Sequence, residues 1–148
     1  MRELWRSFSR LPQPQRRIAL ESLAAAFLSI LTLRALGFHR TRRLLCAPRN
    51  SARQADAAAV STYSTLLDAV IRRAFPRSKC LVRSLALTWL LRRNGIDGTL
   101  VIGVRKQESR FEAHAWVEHE GRVVNDTADV RQRFSALDLP PAAGLNWT

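Results

Sequence analysis

Cysteine is scarce in this chain: 148 residues hold two, Cys46 and Cys80. Two cysteines do not make a disulfide framework, so free thiols are expected. There is no Cys-x-x-Cys and no His-x-x-x-His. Zinc sites generally draw ligands from such close pairs, so no metal is expected. A phosphate-binding glycine loop is also missing, and no cofactor is expected. The uncharged stretch Ser22 to Leu33 covers 12 residues, short of the roughly 20 that cross a bilayer. Met1 to Gln15 is mixed, with two prolines and no compact apolar core, so it does not read as a signal peptide and a cytoplasmic location is expected.

Acidic residues are few, 12 against 24 Lys and Arg, for a formal charge of +12. The imbalance is local: residues 1–79 carry 15 basic and 4 acidic side chains, residues 80–148 carry 9 and 8. Twenty-two of the basic residues are arginine, whose fork suits carboxylates and phosphates. A nucleic acid, an anionic membrane surface or an acidic peptide or protein fits that bias, as does a plain solvated face.

What is present reads as helices followed by strands. After Pro12-Gln13-Pro14, a helix is predicted from Gln15 to about Leu36, closed by Gly37. Its length and arginine flanks suit packing on its own domain, with peripheral contact to an anionic membrane surface or to another protein as the other uses. Residues 37–50 read as a connector. Ser51 and Gln54 have capping-box spacing, and Val60, Tyr63, Leu66, Leu67, Val70 and Ile71 recur at helical intervals up to about Phe75, before Pro76.

Ser78 is the expected N-cap of a third helix, Lys79 to Arg93, with Leu81, Leu85, Trp89 and Leu90 on one face and Asn94-Gly95 at its end. Alternation then predicts strands at Thr99–Lys106, Phe111–Glu118 and Arg122–Asn125, joined through Gln107–Arg110 and the tight turn His119-Glu120-Gly121. Residues 127–148 read as irregular, and Pro140-Pro141 argues against a terminal helix. The fold class is α+β.

Cys80 falls at the second position of the third helix, beside Arg77, Lys79 and Arg83. A helix N-terminus and nearby cations favour the thiolate, the form that attacks carbonyl carbon. Alone, a cysteine ahead of an apolar run is more often inert packing. His114 sits between two alanines, on the strand face of Glu112 and Trp116, where the ring has room to approach another group. A satisfied, half-buried histidine is the competing reading. Asp126 follows the next strand and could orient the imidazole, or cap Thr127 or Ala128 as a turn aspartate. His119 points to the opposite face and is left out of the set.

Residues Cys80–Leu87, Leu90–Gly95, Val101–Lys106, Phe111–Glu118 and Val124–Asp126, in that order and spacing, resemble the transglutaminase-like cysteine peptidases that remove leader peptides during lasso-peptide maturation. The resemblance is to the stand-alone peptidase form. It implies a papain/transglutaminase-like core at 76–148, with the cysteine helix packed on a small antiparallel sheet, preceded by a basic helical region at 1–75. It also implies Cys80 as nucleophile, His114 as general base and Asp126 as orienting acid, with the Cys80 backbone N–H a candidate oxyanion donor. The implied partners are a precursor peptide, a separate leader-recognition protein and a lasso cyclase.

Two other functions fit some of the same residues. The triad could transfer an acyl group to an amine rather than to water. A non-catalytic basic adaptor could bind membrane or nucleic acid, but the chain lacks an aromatic-studded basic strand or a recognition-helix signature, so nucleic acid is not an expected partner.

Overall fold

The computed structural model describes residues 12–47, 56–107 and 110–139. Three long helices lead: α1 (Gln13–Leu45), α2 (Ala57–Ala74) and α3 (Cys80–Arg93). Strands β1 (Thr99–Gln107), β2 (Arg110–His119) and β3 (Arg122–Val123) follow, then a one-turn helix α4 (Val130–Arg133) and a short strand β4 (Ser135–Ala136). All strand pairings are antiparallel, in the order β3-β2-β1-β4. The α+β class is as expected from the sequence, and a cysteine helix packed on a small antiparallel sheet is as the resemblance implied.

The centre of the molecule is α3. Every residue from Ser84 to Thr88 is buried, with Leu90 and Leu91, so the helix is enclosed on all sides and not merely amphipathic. Leu87, Leu90 and Leu91 pack with Ala25 and Ala26 of α1, Val60, Leu67 and Ile71 of α2, and Val117 of β2. Leu85 joins Leu45, Leu100 and Ala115 in a second cluster. Arg92 ties the ends together, donating from Nη1 to the Cys46 carbonyl at 2.6 Å and from Nε to Gly98 at 2.9 Å.

Several boundaries differ from the sequence reading. Gly37 does not close the first helix; it bends it, with φ 72° and ψ 177°, a conformation glycine adopts without a Cβ penalty. Much of the expected connector is therefore helix as far as Leu45. The Ser51–Gln54 capping box lies outside the described residues, and α2 starts instead on Asp56, whose carboxylate accepts from the Ala58 N–H at 3.3 Å. Lys79, not Ser78, is the N-cap of α3, because the Ser78 hydroxyl donates to the Phe75 carbonyl at 2.8 Å. Cys80 is thus the first helical residue rather than the second.

The sheet also departs at its edges. Strands β1 and β2 run into Gln107 and Arg110 with Gly103 opposite His114. The β2–β3 turn is the two-residue loop Glu120-Gly121, both with positive φ, as a tight hairpin matched to strand twist requires. β3 stops at Val123. The stretch read as irregular contains α4 and β4, which the sheet recruits because Val130 and Phe134, four apart, are buried with Trp116. Ala115 and Val117 face the helices while Trp116 faces α4, giving the sheet two covered faces.

Gly103 marks where the second face is tightest. A Cβ there would lie 2.7 Å from the Trp116 ring and 2.9 Å from Phe134 Cβ, closer than packed carbons tolerate. Gly103→Ala should lower stability by about 1–3 kcal/mol, as overpacking does, read from the midpoint of urea unfolding.

Candidate active site

Cys80, His114 and Asp126 line one open cleft of about 510 Å³ between α2, α3 and the β2–β3 end of the sheet. The sequence dictates this convergence in three steps. Cys80 and Ser84 are one helical turn apart and share a face of α3. The buried Ser84 hydroxyl donates to the Ala115 carbonyl at 2.9 Å, which fixes that face against β2 next to His114. Asn125 then brings in the third residue: its Oδ1 accepts from the Val117 N–H at 2.7 Å and its Nδ2 donates to Ser84 Oγ at 3.0 Å.

That amide explains the early end of β3. The Val124 N–H still donates to the Val117 carbonyl at 3.0 Å, but the next acceptor is a side chain rather than backbone. The chain peels off the sheet there and turns Asp126 toward mid-β2. The Asp126 Oδ2 lies 2.5 Å from His114 Nε2. Its other oxygen accepts from the Thr127 N–H at 2.7 Å, so one oxygen meets the imidazole and the other caps the turn. With Nε2 engaged, Nδ1 is the ring nitrogen left to exchange a proton. Among the described residues no hydrogen bond joins the Cys80 thiol to His114; the two share the cleft, whereas His114 and Asp126 touch.

The imidazole is held from the other side as well. It stacks on Phe134 with ring centroids 5.1 Å apart and on Trp116 at 6.2 Å. Trp116 is itself pinned by its indole N–H to Glu118 at 2.8 Å, and Glu118 takes a forked contact from Arg131. The Arg131 hydrogen bond lowers the Glu118 pKa, burial opposes it, and the Trp116 bond adds to the lowering. Arg133 donates to Asp126 Oδ1 at 3.3 Å and to Thr127 Oγ1 at 2.9 Å.

The two thiols are separated by environment. Burial pushes Cys46 up to about 11 against the pull of Arg92 and Arg42, so it stays a neutral packing residue. Cys80 is half-buried and opens on the cleft. The cations expected around it are arranged differently from the sequence reading: Arg77 and Lys79 are exposed, and Arg83 is paired with Asp68 of α2 across the cleft wall. Among the described residues no group of three or more His, Cys, Asp or Glu gathers as a metal site would need.

Sequence reasoning missed Ser84, Asn125, Arg133 and Phe134. Asn125 adjoins Asp126 in the quoted motif but carries no chemistry on its own. Phe134 had a signal in its four-residue spacing from Val130.

A family profile described as the transglutaminase-like superfamily matches residues 23–138. The chain belongs to that superfamily. It is also 44% identical over 61 residues to the microcin J25-processing protein McjB of Escherichia coli, a match covering 41% of this chain and 28% of that relative. The chain thus spans under a third of the relative's length in that match. No solved structure matches significantly.

Two outcomes follow from this geometry. Asn125→Ala leaves the Val117 N–H without its partner and the Ser84 hydroxyl with only the Ala115 carbonyl, and should cost about 1–3 kcal/mol, measured by denaturant unfolding. Burial works against the Asp126 carboxylate, but hydrogen bonds from His114 and Thr127 outweigh it, and its pKa falls below the ordinary 3.8. A depressed folded pKa contributes stability that is full above the unfolded value and drains as pH falls through the folded one. Acid titration of stability should therefore show a loss beginning near pH 4 that is smaller in Asp126→Asn.

Proposed function

We propose that this protein is a cysteine peptidase that cleaves the leader from a ribosomally made lasso-peptide precursor. The observation that carries the reading is the 2.5 Å contact of His114 Nε2 with Asp126, in the cleft that Cys80 enters from the first position of a helix. Superfamily membership and the partial likeness to a protein named for processing microcin J25 support it.

On this reading His114 Nδ1 takes the Cys80 proton as sulfur attacks the amide carbonyl between leader and core. The imidazolium, stabilised by Asp126, then protonates the departing amine. Water hydrolyses the thioester with the same base, freeing the leader carboxylate and the enzyme. The Cys80 N–H, in the helical turn whose amides lack intrahelical partners, is a donor for the tetrahedral oxyanion. The thiol and imidazole need not be bonded beforehand, because such contacts tighten when substrate fills the cleft. The freed core N-terminus would pass to a cyclase, with a separate leader-binding protein delivering the precursor.

Incubation with a precursor peptide and its leader-binding protein, followed by mass spectrometry, tests this. Cys80→Ala should yield no cleaved core, and His114→Ala should slow cleavage by about 10²–10⁴-fold. Asp126→Asn should lose less, since an orienting group acts through its partner. Cleavage by Cys80→Ala at the wild-type rate would sink the reading. An amine-coupled leader in place of a free one would assign the same residues to acyl transfer.

A further inference from the structure

The first helix carries large apolar side chains on its outer face as well as its inner one. From Ala19 to Thr32 its most deeply buried positions are small or polar: Ala19, Ser22, Ala25, Ala26, Ser29 and Thr32. Leu28 and Leu33 pack inward on the second core cluster, but four large side chains point to solvent, Leu20 56%, Leu23 42%, Phe27 59% and Leu31 52% exposed. These four recur at three- and four-residue intervals, so they form one stripe, about 16 Å long at the helical rise. Single exposed leucines need no explanation, but a continuous apolar stripe does.

The charges around the stripe indicate its partner. Arg17 stands three residues before Leu20 and Arg34 three after Leu31, both exposed and both in register with the stripe. Arg40 is exposed beyond the Gly37 bend. Across Gln13–Leu45 there are six arginines and one acid, Glu21, which is turned inward onto Arg17 and Asn94. Between Leu20 and Leu31 the exposed positions are Leu, Leu, Ala, Phe and Leu, with no side chain able to hydrogen-bond. A protein interface of that size would carry donors and acceptors among the apolar groups. Acyl chains demand none, while the arginines reach sideways to headgroup phosphates.

We infer that α1 seats this protein on an anionic lipid surface, lying in the plane of the interface with Leu20, Leu23, Phe27 and Leu31 among the acyl chains. α1 is long and apolar enough to cross a membrane by composition, but a third of that stretch is buried in the protein. Ala25 and Ala26 share the core with α2 and α3, and a spanning helix would have to leave it. The in-plane arrangement keeps the core intact and uses only the outer face. It is independent of the chemistry at Cys80.

Co-sedimentation of the full chain with vesicles reads the inference directly. Wild type should bind vesicles of phosphatidylcholine with phosphatidylglycerol, release as salt is raised, and bind pure phosphatidylcholine about tenfold more weakly. Leu20→Gln with Phe27→Gln should weaken binding about tenfold or more, with circular dichroism showing the fold retained. Arg34→Glu with Arg40→Glu should weaken binding to the anionic vesicles only, and Cys80→Ala should bind as wild type. Equal binding by the Leu20/Phe27 variant, equal binding to neutral lipid, no binding to either, or resistance to alkaline carbonate extraction would each overturn it.

Discussion

The buried hydroxyl of Ser84 is the joint on which this structure turns. It donates to the Ala115 carbonyl and accepts from the Asn125 amide, so one atom couples the central helix, the second strand and the loop after β3. A hydroxyl at zero exposure is tolerable because both of its roles are filled. An apolar residue at 84 could pack α3 on the sheet but could not hold a loop. The position of Asp126, and through it the orientation of His114, depends on a serine that never meets solvent.

Around that joint, charge is distributed by task. Most acids on the cleft side face an arginine: Asp68 with Arg83 and Arg72, Glu118 with Arg131, and Asp126 and Asp129 with Arg133. Pairs as exposed as these contribute little to stability one by one. Their effect is geometric, since Arg131 steadies the floor under His114 through Glu118 and Trp116, and Arg133 shares the Asp126 carboxylate. The formal charge of +12 is not generated at the cleft; a large part resides on α1.

The architecture and the three candidate residues were legible because each rests on a local signal. Proline and glycine punctuate the helices, alternation marks β1 and β2, and the spacing from Cys80 to Asp126 follows a known family. What escaped depends on contacts far apart in sequence. Nothing near Ser84 announces Asn125, 41 residues on. Nothing near Arg122–Val123 says that a side-chain amide will replace the backbone ladder and end the strand. Gly37 looked like a stop because glycine ends helices often; here the segment after it is pulled into line by Leu45 and Cys46, which pack against Leu85 and Leu100. β4 is two residues long and forms where Phe134, buried with Trp116, brings the chain to the free edge of β1.

The same packing logic accounts for the outer face of α1. Where α1 lies closest against α3 it presents small side chains, Ala25, Ala26, Ser22 and Ser29, with Leu28 and Leu33 packing to one side on the second cluster. Burial of alanine and serine contributes much less than burial of leucine or phenylalanine, so the stretch from Ser22 to Ser29 gains less from its fully buried positions than from Leu28 beside them. Leu20, Phe27 and Leu31 add nothing to the core by facing out, and in water they expose apolar surface to no benefit. Small residues at the closest approach and an outer row of leucines and phenylalanine are what a helix would carry if it packed on the core through one side and on an apolar medium through the other.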